Sequence, residues 1–377
     1  MSGLYLHIPF CKKKCSYCNF HFSTQLQLKS KLIEMMGNEL ELRKNEMQTP
    51  IKTIYFGGGT PSLLNEDEIL FLFHKIYSFY NTSELIEVTL ECNPNDLSYD
   101  FLNFLKKETP VNRLSIGIQS FFDVDLKFMN RSHHSMQGEE CIKMAQEVGF
   151  KNITIDLIYG GETTSDEQWI KNLEKAISLG VPHISAYALT VEPKTALENN
   201  IRKGKLPPAD EDKQAKQFHI LRNLLSKKDF IQYEFSNFGK QGFFSKHNIS
   251  YWENLPYLGI GPSAHSYNGK DRRCWNVSNN VKYINAIEKN KLPLEIEHIS
   301  DKDRFNETIM LGLRTYQGIS LKILNENFSS SFLAIFNNEA QKLINDKKLI
   351  CKDNYLTVNP EYLFLTDGII SQLFLID

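Results

Sequence analysis

Three cysteines, Cys11, Cys15 and Cys18, fall within eight positions of the stretch HIPFCKKKCSYCNF, residues 7–20. A structural tetrahedral metal site takes four protein ligands, so a compact trio either borrows a distant fourth or leaves one metal position open. No second CxxC and no HxxxH lies nearby to complete a zinc site. Cys92, Cys141, Cys274 and Cys351 are scattered along the chain and read as packed thiols. Thiolates also hold iron–sulfur clusters, whose cubane form has four irons and normally four cysteines, so three would leave one iron open to another ligand.

Further chemistry-bearing residues stand at or just beyond predicted strand ends: GGGTPS (57–62), Glu91 in ECNP, Gln119 in GIQS, and Asp156 and Tyr187 in the fifth and sixth strands. The glycines permit a tight turn and close backbone approach to a ligand, although an ordinary loop would use them too. No Lys follows them, so this is not a Walker phosphate loop. Single charges such as Glu91, Arg131 and Asp156 usually serve in surface ion pairs. A buried acid at a strand end is costly unless an amine or a ribose hydroxyl donates to it, and that favours cofactor contact. Lys12, Lys13 and Lys14 most simply solvate their loop; the alternative is attraction of an acidic electron donor. In LGIGPSAHSY a GxGxxA spacing is interrupted by Pro262 and lacks a strand-to-helix unit, which discards a dinucleotide fold. In SKHNISYWENLPY a lone His beside Tyr and Trp is most simply a packed side chain, while neutral imidazole can also ligate heme iron.

The elements that must position these residues alternate. GLYLHIP, KTIYF, LIEVTLE, RLSIGIQ, ITIDLIY and HISAYAL read as strands, separated by stretches of helical period. One such helix follows an Asn65 cap with Ile69, Phe73, Ile76 and Tyr80 on a face; another runs from a Ser165 cap to Gly180. Alternation demands right-handed crossovers and a parallel sheet. Polar contributions from every strand end favour a barrel mouth, so an incomplete (β/α)6 barrel is expected over residues 1–228. An aromatic, turn-rich connecting region is expected over 229–299, and a small helical and winged unit ending in a hairpin over 300–377.

Composition bounds the partners. The 377 residues carry 43 Lys and Arg against 45 Asp and Glu, so no overall basic field draws nucleic acid or anionic lipid. The first residues lack a charged segment followed by a long apolar one, and no apolar run reaches membrane-spanning length, so a soluble cytoplasmic protein is expected.

The CxxxCxxC spacing with Tyr17 before its last cysteine, placed after the first strand of a six-unit pattern, resembles the radical S-adenosylmethionine (SAM) enzymes. That resemblance implies a four-iron cluster on Cys11, Cys15 and Cys18, with the amino and carboxylate groups of S-adenosylmethionine on the open iron. LYLHIPFCKKKCSYCNF, YFGGGTPSLL, ECNP, RLSIGIQSF, IDLIYG, YEFSNF and IMLGLR are similar to the branch that holds oxygen-independent coproporphyrinogen oxidase and the HemW-type heme chaperones. Carried over by motif, Tyr5, Tyr17, Gly58, Gly59, Thr60, Glu91, Gln119, Arg131, Asp156 and Ala188 would line the cofactor site. DLIYGGE departs from the more usual GLP at this point. Phe20 stands where the oxidase pattern CxxxCxxCxC has its last cysteine, which disfavours the oxidase. HNISYW fits the HNxxYW signature of heme handling, with His247, Tyr251 and Trp252 as heme-associated residues. The resemblance therefore implies a heme carrier that passes heme to acceptor hemoproteins, among them membrane-associated respiratory proteins. The alternative is a radical enzyme such as the oxidase.

Overall fold

The structure, a computed structural model, describes residues 2–376. Six strands run parallel, each beside the next in chain order: β1 (Ser2–Ile8), β2 (Ile51–Gly58), β3 (Glu87–Cys92), β4 (Arg113–Gln119), β5 (Asn152–Tyr159) and β6 (His183–Ala188). Every residue of β4 is buried, as expected of a parallel strand covered on both faces. The crossovers carry helices α1 (Lys29–Leu42), α2 (Glu66–Phe79), α3 (Tyr99–Glu108), α4 (Asp123–Phe128), α5 (Ser135–Val148) and α6 (Asp166–Ser178). Two of them start at the expected caps. Asn65 and Ser165 accept from the backbones of Glu68 and Gln168, whose side chains accept in return from the caps' own N–H groups. Glu68 is shared further: it also takes Lys29 Nζ at 2.6 Å and so locks the start of α2 to α1.

Residues 229–299 form more sheet than the sequence showed. After α7 (Ala196–Arg202) and α8 (Glu211–Ser226), β7 (Ile231–Gln232) and β8 (Asn237–Gly239) extend the β6 edge antiparallel. The chain then crosses to the opposite edge through α9 (Lys246–Trp252). There β9 (Tyr257–Ile260) pairs parallel with β1, followed antiparallel by β10 (His265–Tyr267), β11 (Arg272–Asn276) and β12 (Leu294–His298). The result is one twelve-stranded sheet. Strands this short hold no readable alternation, and their partners lie far away in sequence.

A buried charge cluster fixes this second edge. Glu39 of α1 is fully buried and accepts from Arg43 (3.1 Å), Asn276 (2.7 Å), Gly261 N (2.8 Å) and the Tyr283 hydroxyl (2.6 Å). Arg43 in turn reaches Gly259 O, Ser266 and both carboxylate oxygens of Glu46. Burial of such a pair is tolerable only because nearly all of its valences are filled.

After α10 (Asn280–Ile287), the last residues pack around a separate core. Phe305 of α11 (Asp301–Leu313) meets the rings of Phe328, Phe332 and Phe336 edge-on, and a three-stranded sheet with an antiparallel 349–358 hairpin covers it. Glu39→Ala should lower unfolding stability by about 3–5 kcal/mol, because it takes one carboxylate from Arg43 and leaves the buried donors of Asn276, Gly261 and Tyr283 short of an acceptor. Denaturant unfolding checks this, and a loss of under about 1 kcal/mol would show that water reaches the cluster.

Candidate functional site

A cavity of about 410 Å³ opens at the carboxyl ends of the six parallel strands. Its wall takes the three cysteines from the loop after β1, Gly58 to Thr60 from the end of β2 onward, Glu91 from β3 and Asn93 just after it, Gln119 from β4, Asp156 from β5 and Ala188 from β6. One cavity can touch all six strand ends only if the sheet curls, so the arrangement is an incomplete barrel with its ligand site at the mouth.

The glycine loop is shaped by close backbone approach. A Cβ on Gly59 would lie 2.7 Å from the backbone N and O of Phe10, so no side chain fits. Its N–H donates to Ile8 O at 2.9 Å, which holds the loop after β2 against the start of the cysteine loop. Gly58 has φ of +105°, a conformation open to glycine. Gln119 adopts φ of +65° at a register shift in β4. Strain of this kind in a non-glycine residue concentrates at functional sites, and here it sits on the cavity wall.

Two of the three thiols accept from a side-chain donor. Thr60 Oγ1 donates to Cys11 Sγ at 3.4 Å and Arg131 Nη1 to Cys15 Sγ at 3.4 Å. Arg131 is held by Asn93 Oδ1 (2.6 Å) and Gly117 O (2.8 Å), and Asn93 also donates to Thr60. Burial pushes the Cys11 thiol up to about 11, partly offset by the Thr60 hydrogen bond, so its ionisation needs a cation in place. Among the described residues no group of three His, Cys, Asp or Glu side chains is arranged to hold a single metal ion. A cubane has separate irons for its separate thiolates, so three cysteines spread around one pocket with a guanidinium beside them fit a cluster.

Two carboxylates face the same space. Glu91 accepts from Tyr55 Oη (2.8 Å) and Gly58 N (3.2 Å); burial outweighs these bonds and raises its pKa from 4.5 to about 7. Burial likewise raises Asp156 from 3.8 to about 6. Both are therefore poised to gain from a cationic or hydrogen-donating ligand.

The expected residues divide. Tyr17, Gly58, Gly59, Thr60, Glu91, Gln119, Arg131, Asp156 and Ala188 line the cavity. Tyr5 does not: its hydroxyl pairs with His7 Nδ1 at 3.1 Å and its ring lies against Tyr55, behind Gly57. Asn93, Ser115, Gly117, Tyr187 and Glu192 join the wall. Of these, Asn93 stands in the ECNP segment, whereas Glu192 has no local signal and closes the mouth by accepting from Asn19 at 2.7 Å. Lys12 is engaged by Asp96 and Lys13 reaches Arg131 O, so both have partners in the fold. Phe20 is 69% exposed at the rim.

His247 lies at the opposite end of the barrel, 1% exposed. Its Nδ1 pairs with Thr53 Oγ1 at 2.8 Å, its Nε2 pairs with Tyr251 Oη at 2.8 Å, and its ring stacks on Tyr55. Both nitrogens are occupied, which corresponds to the packed side chain of the two readings that the sequence left open. Burial lowers its pKa to about 3 and keeps the ring neutral. Tyr251 and Trp252 instead face a second cavity.

A raised carboxyl pKa means that the folded chain binds more protons than the unfolded one between 4.5 and about 7, so Glu91 costs stability as pH rises through that window. Glu91→Gln cannot ionise. Its stability relative to wild type should therefore increase from pH 4.5 to about 7, by at most about 1.4 kcal/mol per pH unit. Denaturant unfolding of both ligand-free proteins across this range measures the difference, and parallel profiles would contradict the burial assigned to Glu91.

Comparison with known proteins agrees with this geometry. Residues 5–191 match the Radical SAM superfamily and residues 299–367 match the HemN C-terminal domain. The chain is 35% identical over 340 residues to a heme chaperone HemW of Bacillus subtilis, covering 89% of each chain. It is 35% identical over 350 residues to a heme chaperone HemW of Lactococcus lactis, covering 92% of this chain and 90% of the relative. The structure of coproporphyrinogen III oxidase (HemN) from Escherichia coli, a radical SAM enzyme, superposes with a TM-score of 0.85 over 99% of this chain and 90% of the other. At 21% identity that likeness establishes the fold alone. Membership of the superfamily implies a four-iron cluster and S-adenosylmethionine. With full-length similarity at this level and a three-cysteine pocket at the strand ends, the chain belongs to the radical SAM superfamily and, within it, to the family of HemW heme chaperones.

Proposed function

We propose that this protein binds heme and transfers it to acceptor hemoproteins, holding a four-iron cluster on Cys11, Cys15 and Cys18 and S-adenosylmethionine beside it. The observation that carries the reading is the pairing of whole-length similarity to heme chaperones with Phe20 at the rim, where the oxidase pattern has a further cysteine. When bound, the cluster and cofactor supply one-electron reduction of the sulfonium and, where cleavage proceeds, a 5′-deoxyadenosyl radical.

This chain's own residues bind and orient. Arg131 offsets thiolate charge at Cys15, and Thr60 does so by hydrogen bonding at Cys11. Gly58 and Gly59 present bare backbone on the cavity wall to the methionine amino group, and Glu91 and Asp156 offer acceptors to that amine and to ribose hydroxyls. Gln119, Tyr17 and Ala188 complete the wall. No helix among the described residues is long and apolar enough to cross a membrane. A cytoplasmic carrier would reach membrane-associated respiratory acceptors by docking. An acidic reductase could still use the lysine loop, whose Lys14 packs over Phe22.

Anaerobically reconstituted protein should carry one four-iron cluster per chain, lost in Cys15→Ala and retained in Cys351→Ala, whose thiol is exposed elsewhere. Iron content and the electron paramagnetic resonance of the reduced cluster measure this, and S-adenosylmethionine should perturb that spectrum. Wild type should then bind heme on titration and deliver it to an apo-hemoprotein, with no decarboxylation of coproporphyrinogen. Robust decarboxylation without heme binding would restore the oxidase.

A further inference from the structure

The face of the HNISYW helix that does not enter the barrel opens onto a second cavity, of about 470 Å³. Asn248, Tyr251 and Trp252 stand at the helical spacing that shares one face, and all three line it. The other walls come from Tyr187 of β6, the Glu234–Asn237 turn, and Met310, Leu311 and Arg314 at the end of α11. Three parts of the chain that are remote in sequence thus meet in one space. Tyr187, 44% exposed, belongs to the wall of both cavities, so a ligand here would sit directly beside the cofactor pocket.

The lining has a definite chemical character. Tyr187, Phe235 and Trp252 supply aromatic faces, Met310 a thioether and Arg314 a guanidinium. The size falls within the range of cofactor pockets, which join apolar walls to a few polar anchors. Arg314 holds Asp367 through two bonds of 2.9 and 2.7 Å, but Asp367 is 69% exposed, so another carboxylate can exchange with it at little cost. Glu234 is 4% exposed, and burial raises its pKa, against the Ser236 backbone hydrogen bond (3.1 Å) and the Arg314 charge, which lower it. A flat apolar molecule with acidic side arms matches these features. Because both His247 nitrogens are taken, the soft donor that the cavity offers to iron is the Met310 sulfur.

Building on the heme-carrier reading, we propose that this cavity is the heme seat: the porphyrin packs against Trp252 and Tyr187, Met310 provides an axial thioether, and Arg314 receives a propionate. The HNISYW helix then has two faces with separate tasks. His247 closes the barrel floor, and Tyr251 and Trp252 shape the seat.

The test is heme titration of the reconstituted full chain, comparing wild type with Met310→Leu, Trp252→Ala, Arg314→Gln and His247→Gln. Cluster absorbance and the S-adenosylmethionine effect on the cluster spectrum serve as folding controls for each. Met310→Leu should abolish the thioether-to-iron charge-transfer band and weaken heme binding at least about tenfold. Arg314→Gln should weaken heme about tenfold, while the affinity for heme dimethyl ester should stay unchanged. His247→Gln should lower the unfolding midpoint while leaving the heme spectrum intact. If wild type binds heme and Met310→Leu and Trp252→Ala bind it identically with intact clusters, the cavity assignment is overturned while the carrier reading stands. If wild type binds no heme, both fall.

Discussion

The floor of the barrel must be closed with polar groups, and the site at the mouth depends on that closure. At the amino ends of the first strands, Gly3, Thr53 and Glu87 sit at one level of the sheet. The helix α9 docks there: both oxygens of Glu87 accept from the backbone N–H groups of Lys246 and His247 at 3.0 Å. A carboxylate at a helix amino terminus satisfies orphan donors and complements the helix dipole. His247 then bridges Thr53 and Tyr251, and a Cβ on Gly3 would lie 3.0 Å from its ring. Above it Tyr55 stacks on His247 and donates to Glu91, which reaches Gly58. A continuous column of contacts therefore runs from the plugging helix to the glycine loop of the cofactor cavity.

That column connects the two ends of the molecule's chemistry. On the mouth side, the Arg131, Asn93 and Thr60 chain positions donors at Cys15 and Cys11, and Gln119 adopts a strained backbone on the same wall. On the outer side of the plug, Tyr251 and Trp252 face the cavity shared with the carboxyl-terminal unit. A family signature that looks like one site in sequence thus serves packing through its His and a ligand cavity through its aromatic residues. The 3.6-residue period turns Asn248 and Trp252 outward, and Tyr251, one turn after His247 and hydrogen-bonded to it, stands between the two sides.

Much of the frame was legible locally. Six apolar runs alternating with capped amphipathic stretches are parallel β/α units by period alone, and the Asn65 and Ser165 caps lie where helices begin. The cysteine trio, the glycine turn and ECNP were legible because residue type and short spacing carry their chemistry. The second sheet edge was not. Nothing in YLGI says that it will pair with GLYL more than two hundred residues earlier, and the Glu39–Arg43 cluster that holds it draws partners from α1, β9, β11 and α10. Whether Tyr5 reaches the cavity and whether His247 packs or ligates were not legible for the same reason: a side chain's exposure to a cavity depends on which neighbours have already taken its polar atoms.

The sequence by itself determined the parallel alternation, the grouping of three cysteines after the first strand and the family, since these reside in period, spacing and motif. Tertiary structure alone decided which residues reach the cavity at the strand ends, that burial raises the pKa values of Glu91 and Asp156, and that His247 plugs the barrel with both nitrogens engaged. It also brought Trp252, Tyr187 and Met310 around one space. Burial and pairing are sums over neighbours distant in the chain, and only folding brings those neighbours together.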